Sequence, residues 1–337
     1  MQKKILISIF EFRDFPDSFM RACNNAGYDV RVCAYNIAPL RSEYFIRFRN
    51  RYLNEEKRYV ERKIKEYNYV LMQEANEYKP DVIIVINSNA IYRKTLELLK
   101  CNCKLVLYLL DPISTIPDIM NNIDLFDNIY SYLSDDVQQI TNSGFNADIL
   151  HPGCDEEFYH HIDCEKEIDV AFVGAGFYRY QIVKSLVRDL KNIKFSCWGE
   201  FIPGSKVKDR IAHTLLGYGH SIHNTAIGSK EVNDLYNKSR LILNIPSPQN
   251  VSGWSSRLPE IAATKTMQLI KRDAKIEEYF HDNVVMYDDY NDLKNKIIYY
   301  LGQQELREKY ANKLYNVCRE HTITNNIKEI MNSLYNS

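Results

Sequence analysis

Short runs of β-branched and other apolar residues alternate with longer amphipathic stretches, and the alternation persists along the whole chain. Strands of a parallel sheet, buried on both faces, read as continuous apolar runs, and helices cross over between them. In the first half the pattern predicts strands at Lys4 to Phe10, Tyr28 to Ala34, Val82 to Asn87, Lys104 to Leu110, Asn128 to Leu133 and Ala147 to His151. Helices are predicted at Asp17 to Ala26, Arg41 to Tyr78, Ile91 to Leu99 and Asp135 to Ser143, with Gly27 and Gly144 placed to stop two of them.

A break follows at His151 to Ile168, where Pro152-Gly153 opens a polar, acidic stretch. Beyond it the same logic predicts strands at Val170 to Gly174, Lys194 to Gly199, Leu241 to Ile245, Met267 to Lys271 and Val284 to Tyr287. Helices are expected at Arg179 to Leu190, Lys230 to Lys238 and near Pro259 to Ala263, and three more close the chain from Tyr290 onward. The expectation is an α/β protein of two Rossmann-like domains, 1–153 and 169–321, joined by a linker at 154–168 and followed by a final helix at 322–337. With 337 residues the chain suits two cores rather than one.

Charge and composition remove several classes. Lys and Arg total 43 against 44 Asp and Glu, so no nucleic-acid partner is implied by net charge. Apolar runs such as Val82 to Ile86 fall far short of the ~20 residues that span a bilayer. The opening run, Ile5 to Phe10, is broken by Ser8 and meets Glu11, which reads as a first strand and not as a signal peptide. Eight cysteines without a C-x-x-C point to structural thiols in a reducing cytoplasm. One local bias stands out: residues 41–65 carry nine Lys or Arg against four Glu, interleaved with Tyr44, Phe45, Phe48 and Tyr52. A solvated helix with its aromatic face in the core has this composition, as does a helix resting on an anionic inner membrane face or an acceptor.

The stretch richest in chemistry is Gly253-Trp254-Ser255-Ser256-Arg257-Leu258-Pro259-Glu260, between two predicted strands. Pro259 belongs in the first turn of a helix, which makes Gly253 to Arg257 the loop feeding that helix. Backbone amides at such a start attract phosphate, Arg257 can add a bidentate pair, and Glu260 can accept two sugar hydroxyls. The same letters also suit a plain helix start, with Ser255 or Ser256 as cap and Glu260 favouring the dipole.

The run from Asp169-Val-Ala-Phe-Val-Gly174, through Asp234-Leu-Tyr-Asn-Lys-Ser-Arg-Leu-Ile-Leu-Asn-Ile245, to Ser252 and Glu260 resembles the C-terminal domain of CgeB-like glycosyltransferases, part of the glycosyl transferases group 1. The resemblance spans about Asp169 to Asp289. It implies a GT-B fold, two doubly wound domains facing a central cleft, with the last helices crossing back to the first domain. It also implies that Gly174 and Gly176 approach the donor phosphates, that Arg179 supplies a cation for the diphosphate, and that Glu260 binds the donor ribose. Ser252 stands where many retaining relatives carry a glutamate, which leaves the sugar and the stereochemical outcome open.

In the first half, Asp111 ends an apolar strand, so it should emerge at a carboxyl edge, and Glu11 and Asp14 follow the first strand at the same edge. Asp111 also matches an aspartate of CgeB-like N-terminal domains. Asp111 and Glu11 are therefore the catalytic candidates, able to deprotonate an acceptor hydroxyl, although a turn or cap aspartate has the same appearance. His213, His220 and His223 lack a carboxylate at ligand spacing and read as solvent-exposed. No H-E-x-x-H, G-x-S-x-G or Walker loop occurs. The expected activity is transfer of a sugar from a nucleotide-diphosphate sugar to a glycan, lipid-linked or protein acceptor, with no metal and no cofactor beyond that co-substrate. A GT-B nucleotide-sugar epimerase and a non-catalytic nucleotide-sugar-binding module are the alternatives.

Overall fold

The computed structural model describes residues 2–12, 14–36, 55–87, 90–116, 118–246 and 252–335. The chain divides into two compact units, 1–151 together with 323–337, and 152–322.

Unit 1 begins with β1 (Lys4–Phe10), α1 (Phe15–Asn25), β2 (Asp29–Tyr35), α2 (Glu55–Tyr78), β3 (Val82–Ile86), α3 (Arg93–Lys100), β4 (Lys104–Leu109), β5 (Asn128–Ser131), α4 (Ser134–Asn142) and β6 (Asp148–Ile149). Its sheet is wholly parallel, in the order β2-β1-β3-β4-β5-β6. All five residues of β3, Val-Ile-Ile-Val-Ile, are buried. Successive side chains point to opposite faces, so Ile83 and Val85 enter the core beneath α2 and α3, whereas Val82, Ile84 and Ile86 enter the core shared with α1. The expected helix from Arg41 lies outside the described residues up to position 54.

Unit 2 contains β7 (Ile168–Val173), α5 (Phe177–Asp189), β8 (Phe195–Trp198), α6 (Val207–Leu215), β9 (Ile222–His223), α7 (Ser229–Asn237), β10 (Ser239–Asn244), α8 (Arg257–Ala263), β11 (Met267–Lys271), α9 (Ala274–Phe280), β12 (Val285–Tyr287), α10 (Tyr290–Leu301) and α11 (Gln304–Cys318). Its sheet is also parallel, in the order β12-β11-β10-β7-β8-β9. Val170 and Phe172 face the core under α5, and Ala171 and Val173 face the core beside α7. The segment 154–168 is fastened to this unit: Asn237 accepts from the Ile162 amide at 2.7 Å, and its backbone carbonyl accepts from Lys166 Nζ at 2.6 Å. The last helix, α12 (Ile323–Tyr335), returns to unit 1, where Ile327, Ile330 and Met331 are buried with Phe19, Ala22 and Cys23 of α1.

Each sheet has one place where the strand order reverses. In unit 1 it lies between β1 and β3, and in unit 2 between β7 and β10. At such a point the crossover connections leave to opposite faces, and a crevice opens at the carboxyl ends of the two strands.

Candidate functional site

The crevice of unit 2 is shaped first by glycine. A Cβ on Gly199 would sit 1.7 Å from the carbonyl oxygen of Gly174, so the loops after β7 and β8 approach closely only because position 199 has no side chain. A Cβ on Gly174 would overlap Cζ of Phe172 at 2.7 Å and lie 3.5 Å from Nη2 of Arg257. Gly176, at φ +103°, occupies backbone space that favours glycine and begins α5, with nothing within 4 Å of where its Cβ would be.

Two guanidinium groups meet here. Arg179, in the first turn of α5, donates from Nε to the carbonyls of Ile245 at 3.0 Å and Pro246 at 3.3 Å, and from Nη1 to the carbonyl of Ala175 at 3.0 Å. Arg257, the first residue of α8, donates from Nη1 to the same Ile245 carbonyl at 3.5 Å and lies over the ring of Phe172 at 6.0 Å. Ile245 directly follows β10, so the two cations bracket the point where the strand order reverses. Among the described residues neither is paired with a carboxylate. Burial first, and then the neighbouring charge of Arg257, pull Arg179 down to about 10. Arg179 thus stays charged at neutral pH, and two guanidiniums held together without a carboxylate partner among the described residues make a site for an anion. The amides of Phe177, Tyr178 and Arg179 open the 13-residue α5 without intrahelical acceptors, and the helix dipole adds to the attraction.

Several of the other candidates have partners within the protein. The amides of Gly174 and Gly176 donate to the carbonyls of Trp198 at 2.9 Å and Glu200 at 3.0 Å, so these glycines shape the turn while their N–H groups are engaged. The Gly253 amide donates to Asp273 Oδ1 at 3.2 Å, and that carboxylate also caps α9 through Lys275 and Ile276. Trp254, singled out with this loop, is 5% exposed and packs among Leu258, Ile276 and Phe280, because an indole at the foot of a short helix is better hidden than hydrated. Ser255 and Ser256 make no side-chain cap; their carbonyls accept from the amides of Leu258 and Glu260. The helix starts at Arg257, with Pro259 in its first turn. Glu260 is half-buried beside Cys154, whose thiol is pushed up by burial and then by the Glu260 charge.

The carboxyl edge of unit 1 carries the other candidates. Asp111 stands just past β4, and Asn87 just past β3. Asn87 adopts φ +63°, donates from Nδ2 to Asp111 Oδ2 at 2.7 Å, and accepts from the amides of Leu110 at 2.8 Å and Asp111 at 3.2 Å. Asp111 keeps solvent access, yet the surrounding protein raises its carboxyl above the usual range while the Asn87 bond pulls the other way. The Asp111 charge in turn helps burial to raise the hydroxyl of Tyr132. Glu11 follows β1 with its side chain exposed. One strand separates β1 from β4, so the backbones bearing Glu11 and Asp111 are set apart by roughly 10 Å, two interstrand spacings. No contact joins these carboxylates among the described residues.

Sequence reasoning missed Asn87 and Gly199, and it misplaced two histidines. His213 is 8% exposed, with Nδ1 3.2 Å from the Tyr180 hydroxyl, and His223 forms β9 and stacks on Trp198 with ring centroids 3.8 Å apart. Both were expected in solvent. The aromatic residues around them turn a polar-looking loop into packing. For Asn87 a signal was present: an asparagine ending an all-apolar strand suits a left-handed turn.

Comparison with known proteins bears directly on this arrangement. Residues 179–332 match the glycosyl transferase-like family model. No curated protein matches the sequence in a direct comparison. Among solved structures, sucrose-phosphate synthase from Thermosynechococcus elongatus has a TM-score of 0.66 at 10% identity, covering 99% of each chain. HepE of Anabaena, solved in complex with UDP and glucose, has a TM-score of 0.66 at 12% identity, again covering 99% of each chain. UDP-GlcNAc 2-epimerase from Neisseria meningitidis, bound to UDP-GlcNAc, has a TM-score of 0.58 at 15% identity over 99% of this chain and 100% of that one. The fold is that of GT-B glycosyltransferases, built from two Rossmann-like parallel-sheet domains. Among the described residues no helix is long and apolar enough to cross a membrane.

Proposed function

We propose that the protein is a glycosyltransferase of the CgeB-like kind, which moves a sugar from a nucleotide-diphosphate sugar to an acceptor hydroxyl on a glycan, lipid-linked or protein acceptor. The observation that carries this reading is the pair Arg179 and Arg257, two guanidiniums without a carboxylate partner among the described residues, at the strand-order reversal of unit 2. A diphosphate supplies the missing anion. As the glycosidic bond breaks, charge builds on the leaving diphosphate, and cations already in place stabilise it without reorganising. This neutralisation needs no metal ion. Glu260 is assigned to the donor ribose, and Asp111, with its raised carboxyl, to the acceptor hydroxyl.

Calorimetric titration with a panel of nucleoside diphosphates tests the reading. At least one should bind the native protein, and Arg257→Ala should weaken it by tenfold or more, the loss of about one charge-assisted hydrogen bond. Absence of binding by every nucleoside diphosphate overturns it. The likeness to UDP-GlcNAc 2-epimerase keeps epimerisation as the second reading. Incubation with donor alone separates the two, because an epimerase alters the donor without an acceptor. Turnover of either kind separates both from a binding module.

A further inference from the structure

Helix α6 places Val207, Ile211 and Leu215 at every fourth position, so the three side chains form one stripe. Their exposures are 47%, 54% and 79%, and Leu216, just beyond, is 65% exposed. The packed side of the same helix is marked by His213, buried against Tyr180 and Tyr218. At about 100° per residue, the middle of the apolar stripe lies roughly 160° around the helix from His213. The arrangement inverts the usual one, in which apolar residues face the core and charges face water. Single exposed aliphatic residues are ordinary, whereas a stripe of three, with Leu216 exposed at its end, marks a surface that something covers.

Charge indicates what covers it. Lys208 and Arg210 flank the stripe, and neither enters an ion pair among the described residues. Asp209, the one acidic residue of α6, is half-buried and close enough to Tyr180 to act on its hydroxyl, so it belongs to the packed side. Lys206 precedes the helix, with its ammonium over the Phe177 ring at 4.8 Å. An apolar stripe bordered by unpaired cations complements the boundary between acyl chains and anionic headgroups.

We propose that α6 is an interfacial anchor that seats unit 2 on an anionic lipid surface. Val207, Ile211, Leu215 and Leu216 enter the acyl boundary, and Lys208 and Arg210 meet headgroup phosphates. The Lys206–Phe177 contact sets the start of this anchor beside the first turn of α5, which carries Arg179. The inference is independent of the catalytic reading, since it rests on a different helix and needs no turnover.

Flotation of the full chain with vesicles tests it, using phosphatidylcholine alone and phosphatidylcholine mixed with phosphatidylglycerol. The native protein should float with the mixed vesicles only. The pair Ile211→Asp and Leu215→Asp should lower that partitioning at least about tenfold, while Lys208→Ser with Arg210→Ser removes the preference for the anionic lipid. Thermal melting of the variants should match the native protein, because the altered side chains face solvent. Failure of the native protein to float overturns the proposal, as does flotation that survives the aspartate pair. A dimer in sedimentation velocity that dissolves on Leu215→Asp, without any flotation, assigns the stripe to a second copy of the chain and also overturns it.

Discussion

The guanidiniums of Arg179 and Arg257 reach for one acceptor, the carbonyl oxygen of Ile245, at 3.0 and 3.5 Å. Two cations on one carbonyl repel each other, and the lowering of Arg179 toward about 10, by burial and then by Arg257, records part of that cost. Removing one cation in the absence of ligand should therefore do little harm. We expect Arg257→Met to melt at or above the temperature of the native protein without ligand. With a nucleoside diphosphate at ~100 times its dissociation constant, the native protein should gain about 2.7 kcal/mol, and the variant should lose most of that gain. A variant that melts lower without ligand yet keeps the ligand-induced shift would make Arg257 a structural residue.

Asp111 and Glu260 belong to different units and should fail differently. Asp111→Asn keeps shape and removes a proton acceptor, so turnover should fall about 100-fold to 10,000-fold while nucleotide affinity barely moves. Glu260→Gln should weaken donor binding by about tenfold. Titration calorimetry beside steady-state rates reads both, and the opposite pattern would invert the assignment of the two units.

Titration behaviour gives a third expectation. Asp111 is held above the ordinary carboxylate value, so between that value and its folded one the folded chain binds more protons than the unfolded chain. Stability from this group falls as pH rises through that window, and Asp111→Asn should remove the fall. His213, His223 and His321 go the other way: burial holds each below the ordinary imidazole value. The unfolded chain then takes up protons that the folded chain refuses, and stability should drop as pH falls through about 6.5. Melting temperatures at closely spaced pH values measure both limbs, and a flat profile near 6.5 would contradict the second.

Gly199→Ala and Gly27→Ala should separate steric collision from backbone strain. The first drives a Cβ to within 1.7 Å of the Gly174 carbonyl oxygen, whereas the second meets nothing within 4 Å and pays only for φ +87°. We expect a loss on the order of 3 kcal/mol or more for Gly199→Ala, and about 1 kcal/mol for Gly27→Ala. Urea unfolding of the two variants decides, with equal losses counting against the close approach.

Metal chelation supplies a fifth test. If two guanidiniums carry the diphosphate charge, sugar transfer should persist in excess EDTA. Activity that disappears with chelator and returns with magnesium or manganese would place the neutralising charge elsewhere.

Much of the fold is legible in the sequence because burial on both faces leaves a plain trace. The run Val82 to Ile86 reads as a central strand and is one, and Lys4 to Phe10 has the same limits in pattern and structure. Short edge strands leave little trace: β9 has only two residues, and Ile222-His223 sits in a stretch that looks like an exposed histidine loop. In the site, Arg179 and Arg257 were visible as cations near strand ends. That they share the Ile245 carbonyl depends on the side-by-side placement of β7 and β10, which are separated by more than 60 positions in sequence. Trp254 stands in a glycine-serine loop that the sequence groups with the donor site, and only the packing of α9 shows that its ring is buried. Gly199 carries meaning only once two loops are known to touch.

The helix Ile323–Tyr335 completes the core of unit 1, although 171 residues of unit 2 are made between it and the rest of that core. During synthesis, at about 5–20 residues per second, β1 and α1 wait roughly 15 to 60 s for Ile327, Ile330 and Met331 to emerge. Throughout that interval the apolar side of α1 that carries Phe19, Ala22 and Cys23 lacks its cover. A nascent chain stalled or cleaved before position 323 would thus leave its oldest part unfinished and its newest part whole. Quality control on the ribosome would meet this protein by its beginning.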